Sequence, residues 1–378
     1  AGGLTAATSI CDYTTGISAP KAIGQYKFPL FADDSLWLCS RQDDKKNTVL
    51  RSMKYAPDVY NGVDSIELSI GDENELTAGA NLYSRLASNI YDIKVFFKKT
   101  AMHGVSGYKP EDYTVYNISP SIGCIAPETL RQTIAYIGGI SRPILIWQSA
   151  KGIYIFDNTS PLRVSDDIQN FFDENESASR RLHASYADLS YSFIDEANLT
   201  YHWLFADGNS TGTLNREWVL DLKTLRWSEI DRGTGKYLQC GCQVRDTVGN
   251  TYIYGFLDTG YMERFENGTD FDGTSIAHDL WTGDEAPFGE ITEKSQLVRY
   301  GFVMVAKSNT GQTVAVTHYG DGVSTGTILT SVDPTKSGYR VVVNDLIIDP
   351  ADSGAYIFHS LRFQISTTDE TWGFEPLF

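Results

Sequence analysis

Cysteine and methionine are scarce in this chain, at five and four residues in 378. Cys11, Cys39, Cys124, Cys240 and Cys242 are too few and too scattered for the disulfide framework of a small secreted domain. Cys240 and Cys242 form a C-x-C pair with no second pair to complete a zinc site. They read instead as two small buried residues on one face of a strand. Positive charge is also short, since 31 Lys and Arg against 48 Asp and Glu leave a net charge of −17. Reading DNA requires clustered cations that displace counterions from phosphates, and this composition disfavours it. A surface that DNA slides past without sticking remains compatible. No apolar run approaches the roughly 18 residues of a membrane span, so no membrane partner is expected. Ala1–Ser9 shows no signal-peptide pattern. There is no P-loop, dinucleotide fingerprint or G-x-S-x-G elbow.

Aromatic residues, by contrast, are plentiful: 22 Tyr, 18 Phe and 7 Trp, a bias toward strands. From Pro143 to Ser165 the chain reads ILIWQ, SAKG, IYIF, DNTS, PLRVS, three short strands and two polar turns. YHWLFADG with NREWVLDLKTLRWSEID makes a second such unit, and LQCGCQVRD, NTYIYGF and GYMERFE make a third. Trp147 precedes Trp203 by 56 positions, and Trp203 precedes Tyr254 by 51. Steps of 55 backwards from Trp147 reach Asp92, before IKVFF, and then Trp37 in SLWLCS. A period near 50 residues, each unit a meander of three or four strands, marks the blades of a propeller.

The expected architecture is therefore all-β: a β-propeller of about five blades, then a small C-terminal β-sandwich. Residues 1–30 are assigned to an irregular lead-in, 31–270 to the propeller and 271–293 to an acidic linker. Residues 294–378 form the sandwich, from the alternating stretches QLVRYGFVMVAK, TVAVTHYG, YRVVVNDLII and AYIFHSLRFQIS. Two short helices are expected, one over Ser165–Ser177 with Ser165 as N-cap and one in ELTAGANLYSRLAS, where Gly79 weakens the case. Glu266–Glu293 carries eight acidic residues and no Lys or Arg. Its Asp279, Asp284, Glu285, Glu290 and Glu293 are the candidates for an interface or channel lining.

No catalytic constellation emerges. Glycoside hydrolysis needs two carboxyls about 5 or 7–9 Å apart across a cleft. Asp33 with Asp34, and Glu217 with Asp221, are formally available, but 48 acidic residues make such pairs unavoidable. The six histidines are far apart, with no H-x-x-x-H or H-x-H. His202 lies between Tyr201 and Trp203 and points to the opposite face of its strand. NGTDFDG places Asp270 and Asp272 before a Gly like part of a calcium loop, yet position 279 is Asp279 where the loop needs Glu. A hairpin corner is the plainer reading. Lys94, Lys98, Lys99 and Lys109 form one mildly basic region beside Phe96, Phe97 and Tyr108, either a solvated face or a contact for an acidic neighbour or DNA phosphate. No cofactor is expected.

The order DIKVFFKKTAMHGVSG, YTVYNISPSIGCIAPETL, ILIWQSAKGIYIFDNTSPLRVSDDI and REWVLDLKTLRWSEID, spanning about residues 90–266, resembles the β-propeller hub, nozzle or packaged-DNA-stabilisation proteins of short-tailed phages. The resemblance rests on strand order and turn chemistry. It implies a non-catalytic virion protein of the tail or neck, assembled in the host cytoplasm. It also implies a homo-oligomeric, typically hexameric ring that extends the portal and adaptor channel and lets genomic DNA pass. Two other readings stay open: a carbohydrate- or receptor-binding propeller, such as a tail adhesin or lectin, and a propeller glycoside hydrolase. Exposed Trp and Tyr would mark the first of these, and Trp281 and Trp372 lie outside clear strands.

Overall fold

The structure is a computed structural model, and it describes residues 9–10, 21–22, 25–60, 65–86, 89–232, 235–265, 276–286, 293–306, 314–323, 326–332, 341–347, 354–367 and 372–376. The chain divides into two compact units, Ala1–Phe265 and Glu266–Phe378. A two-residue hairpin, β1 (Ser9–Ile10) with β2 (Lys21–Ala22), comes first.

Five antiparallel meanders then follow in strict chain order. Blade one is β3 (Tyr26–Ala32), β4 (Ser35–Arg41), β5 (Lys45–Arg51) and β6 (Ile66–Ser69). Blade two is β7 (Leu76–Leu86), β8 (Asn89–Lys98), β9 (Met102–Ser106) and β10 (Thr114–Ser119). Blade three is β11 (Arg131–Ile137), β12 (Ile140–Ser149), β13 (Gly152–Phe156) and β14 (Leu162–Arg163). Blade four is β15 (Tyr191–Asp195), β16 (Thr200–Phe205), β17 (Arg216–Asp221) and β18 (Arg226–Ile230). Among the described residues blade five has three strands, β19 (Leu238–Arg245), β20 (Thr251–Leu257) and β21 (Met262–Arg264). The first strand of each blade packs on that of the next, from β3 through β7, β11 and β15 to β19. This is propeller architecture, each blade radiating from its first strand.

Large side chains on the second strands fill the gaps between blades. Trp37, Trp147 and Trp203, on β4, β12 and β16, are fully buried. Phe96 faces Trp37 at 6.3 Å, while its neighbour Phe97 faces Trp147 at 4.9 Å, because successive strand residues point to opposite faces. Each indole N–H finds an acceptor. Trp37 donates to Ala32 O (3.2 Å), Trp147 to Gly123 O (3.0 Å) and Trp203 to Gln148 Oε1 (2.7 Å).

Four expectations change here. Blade one begins at Tyr26, so the lead-in ends earlier than residue 30. ELTAGANLYSRLAS contains β7, not a helix: a Cβ at Gly79 would lie 3.0 Å from the Phe28 ring and 3.1 Å from Phe96, so glycine lets an inner strand approach its neighbours. Over Ser165–Ser177 only a 3-10 segment, Asp166–Phe172, forms, and Ser165 does not cap it. Its hydroxyl accepts the Ile153 N–H at 3.0 Å instead, tying that segment to β13. The propeller unit ends at Phe265 rather than 270, and the expected linker 271–293 holds a strand, β22 (Ile276–Trp281).

The described strands of the C-terminal unit all pair antiparallel. One sheet has the order β22–β29–β25–β26, using β25 (Val314–Gly320), β26 (Thr327–Val332) and β29 (His359–Thr367). The other has β24 (Arg299–Ala306) between β27 (Val341–Ile347) and β30 (Trp372–Pro376). A short pair joins β23 (Ser295–Gln296) to β28 (Ala355–Tyr356). Charge density concealed β22, whose acidic Asp279 is neutralised across the sheet by Arg362 on β29.

Candidate functional site

Two buried charge clusters sit between blades, and both contain residues that the sequence offers as catalytic carboxylates. Asp33 and Asp34 are the central pair of the β3–β4 hairpin, with φ of 51° and 55°, the left-handed conformation that a two-residue I′ turn demands. The turn sends the two carboxyls apart. Asp34 is half-buried and lies 3.6 Å from Lys54. Asp33 is buried, with Oδ2 2.5 Å from Lys94 Nζ and accepting the Tyr113 hydroxyl at 3.1 Å. Lys94 also donates to Gly107 O at 2.9 Å. Along β8, Asp92, Lys94, Phe96 and Lys98 share the face that meets blade one. Lys98, likewise buried, pairs with Asp72.

The supposed basic surface is thus a partial misreading. Lys99 and Lys109 are exposed, but Lys94 and Lys98 are among the most buried side chains of the protein. Their ammonium groups are consumed in joining blades one and two.

Asp92 completes that cluster. Asp33 Oδ1 and Asp92 Oδ1 are buried without a donor aimed at either. Burial pushes the Asp92 carboxyl up to about 7, Lys94 opposes this, and the neighbouring Asp33 adds to it. A proton held on Asp92 would let it act as a donor toward the neighbouring Asp33.

The second cluster lies on the side of blade four that faces blade five. Glu217, buried on β17, is held by Arg232 through two bonds of 2.6 and 3.0 Å and by His202 Nδ1 at 2.9 Å. Burial opposes ionisation, but His202 and Arg232 outweigh it and hold Glu217 below its ordinary range. A carboxylate so stabilised is a poor proton donor. His202 stacks on Phe193 at 4.4 Å, on the face opposite Tyr201 and Trp203, as expected. Asp221, the proposed partner, accepts Lys223 N–H and the Thr224 hydroxyl and shapes the β17–β18 turn.

An open cleft of about 560 Å³ lies outside blades one and two, lined by Gly71, Asp72, His103, Tyr116 and Asn117. The His103 ring covers Gly71, where any Cβ would lie 2.5 Å from it, and burial holds the imidazole below its usual range. Sequence reasoning had no signal for this cleft, because its walls come from three strands, β6, β9 and β10, and the turns beside them.

In the C-terminal unit, Asp279 is exposed and clamped by Arg362, whose Nε donates to both carboxylate oxygens at 2.8 and 3.0 Å. Glu285 pairs through its backbone with His359, at 2.9 Å in each direction. Asp284 and Glu293 are exposed. Glu290, Asp270 and Asp272 lie outside the described residues, and so does Trp372's side chain. Histidines distant in sequence do meet here: His318 Nε2 is 2.8 Å from His359 Nδ1, and His359 Nε2 is 2.8 Å from Ser295 Oγ. The same Nε2 lies 3.1 Å from Ser295 O, which can only accept. Nε2 therefore carries the hydrogen, and His359 is not placed as a base toward Ser295.

Cys240 and Cys242 do share a face of β19, but Cys242 is exposed and Cys240 half-buried. The expectation of two buried residues fails: among the described residues of this unit no other blade covers that side of blade five. Among the described residues no group of three His, Cys, Asp or Glu could hold a metal.

No family model matches the chain, and no curated protein is significantly similar to it. Solved structures match loosely. An exo-β-1,3-galactanase from Phanerochaete chrysosporium is 11% identical over 95% of this chain and 98% of its own, with a TM-score of 0.31. A bifunctional GH43-CE protein from Bacteroides eggerthii is 9% identical over 93% of this chain and 62% of its own, with a TM-score of 0.30. A GH32 β-fructofuranosidase from Bombyx mori is 9% identical over 94% and 92%, with a TM-score of 0.26. Similarities this low carry no argument about what this chain does.

Proposed function

We propose that the chain is a non-catalytic structural protein of a phage tail or neck, a hub or nozzle component whose propeller forms a ring around the genome's path. One observation carries the reading: the groups with chemical potential are spent on rigidity. Lys94, Asp33 and Glu217 are buried and paired between blades, where substrate has no access. A stiff wedge-built body suits a part that bears internal pressure and the passage of DNA. The net charge of −17 suits a wall that must not bind phosphates. The resemblance of residues 90–266 to phage propellers supplies the setting, with portal, adaptor or other tail proteins as neighbours. Electron microscopy and light scattering of the protein, alone and with virion fractions, test this. A protein that stays monomeric and joins no particle overturns it.

A second reading, saccharide binding, draws on Trp281. This indole is 49% exposed on β22, tilted against Tyr319 at 4.5 Å, with the Arg362 guanidinium 4.8 Å from its centroid. An aromatic platform beside a clamped Asp279–Arg362 pair offers a sugar both stacking and planar hydrogen bonds. A glycan array showing saturable binding that Trp281→Ala abolishes would favour it.

A further inference from the structure

Five blades packed in series leave two sheet faces over. At every internal junction the trailing face of one blade meets the leading face of the next. Trp37 and Val49 meet Phe96, and Phe97 meets Trp147. Ile144 and Ile146 meet Tyr201 and Trp203, and Leu204 meets Ile253 and Leu257. Among the described residues of this unit, the leading face of blade one and the trailing face of blade five have no such neighbour. Among the described residues, β19 makes no packing on β3 comparable to that between successive inner strands.

Both faces are apolar, and strand register fixes what they carry. On blade one, Pro29, Leu38, Leu50 and Glu67 form a row across β3 to β6, with Phe31 and Leu36 opposite one another in the next row. On blade five, Cys240, Phe256 and Met262 form one row, and Cys242, Tyr254 and Arg264 the next. Phe31 is 66% exposed and Met262 57% exposed. Among the described residues blade five has three strands, with β21 outermost. At their outer strands the two faces carry opposite charge. Glu67 stands on β6, where it also holds Lys45 at 2.9 Å, and the exposed Arg264 stands on β21, stacked on Tyr252 at 3.9 Å.

We propose that these two faces join two copies of the chain, the trailing face of blade five in one copy seated on the leading face of blade one in the next. The inference rests on the ring reading above and names its contact surface. The two faces are the same kind of surface that already pack together four times within the chain. They differ from each other, so their contact is head-to-tail, and a head-to-tail contact closes into a ring when its rotation divides a full turn. Apolar rows supply the attachment, and the Glu67–Arg264 pair at the rim sets the register against the self-repulsion of acidic copies.

Sedimentation and light scattering over a concentration series test it. Met262→Asp, at an exposed position, is expected to raise the assembly midpoint at least tenfold with unchanged monomer unfolding. Glu67→Arg and Arg264→Glu each weaken assembly alone, because each then sets like charges together. A one-to-one mixture of the two restores it, since every contact in an alternating ring is again complementary. If all three variants assemble like the wild type, this contact is wrong while the ring reading stands. A wild type that never oligomerises, alone or with virion partners, removes both. If Met262→Asp lowers monomer stability and leaves the mass unchanged, the faces close within one chain and the proposal falls.

Discussion

Lys94 Nζ lies 2.5 Å from Asp33 Oδ2, and neither side chain touches water. The cation belongs to the second strand of blade two and the anion to the first hairpin of blade one, so the pair fastens two blades. Its strength is conditional. Two ions taken from water recover their hydration only if both are present and their remaining hydrogen bonds are met. Tyr113 and Gly107 supply two of them here, and Asp33 Oδ1 faces the neighbouring Asp92 without a donor of its own.

Removing one partner is therefore the damaging change. Lys94→Met is expected to cost about 3–5 kcal/mol, since it strands the Asp33 carboxylate in a dry interface. Adding Asp33→Asn should recover much of the loss, because Asn removes the orphaned charge and still accepts the positive φ of the hairpin. Urea denaturation of the single and double variants measures both effects. Equal destabilisation by the two would show that the charge was not the problem.

Asp92 gives the same interface a pH dependence of unusual sign. Its folded value, pushed up to about 7 by burial and by Asp33, exceeds the unfolded value near 4. The native state keeps a proton that the unfolded chain releases over that range. This contribution to stability is therefore complete below about pH 4 and is lost as pH rises through about 7. Asp92→Asn, which keeps a donor toward Asp33 at every pH, should flatten the decline in urea midpoint between pH 5 and pH 8. An undiminished decline would locate its cause elsewhere.

Glu217 behaves oppositely and separates a structural from a catalytic role. Its lowered folded value makes its contribution present above the ordinary glutamate range and lost as pH falls through the depressed value. Glu217→Gln leaves Arg232 and His202 without their anion in a buried site, an expected cost of about 3 kcal/mol. A general acid would show the reverse pattern, with turnover abolished and stability intact. Thermal melts beside an aryl-glycoside screen distinguish the two.

Trp203 tests how tightly the blades are fitted. Its indole N–H donates to Gln148 Oε1 at 2.7 Å inside the junction of blades three and four. Trp203→Phe removes volume and leaves a buried amide oxygen without its donor, an expected loss of about 2–4 kcal/mol. Gln148→Leu in the same chain should return the hydrogen-bond part but not the cavity part. A double variant no better than the single would mean that Gln148 finds another partner.

What was legible in the sequence is what repeats. Trp37, Trp147 and Trp203 stand at equivalent places on second strands, so their spacing exposed the blades directly. The inner strands were harder. YSFID and RQTIAYI are short, and LTAGANLYSRL carries helix-compatible residues, because an inner strand is shaped by neighbours on both sides rather than by its own alternation. Partnership across long separations was not legible at all. Asp33 with Lys94, Glu217 with Arg232 and Asp279 with Arg362 are each brought together by the fold, and nothing local distinguishes them from the other charged residues.

Thiol reactivity reports whether the trailing face of blade five is open. Cys39 and Cys124 are buried within blades one and two, and burial pushes the Cys39 thiol far up and the Cys124 thiol up to about 12. Reaction requires the thiolate and access to it, so both should stay unlabelled until the blades unfold. Cys242, exposed beside Tyr254, should be the fast site in the dispersed protein, with Cys240 slower because burial raises its thiol too. Using a Cys11→Ser chain keeps the count to these four. Mass spectrometry after a brief maleimide pulse gives the order, and repeating the pulse on assembled protein gives the consequence: contact between copies through this face should protect Cys242 while leaving Cys39 and Cys124 as they were. A Cys242 that labels equally fast in both states would place the contact elsewhere on the molecule.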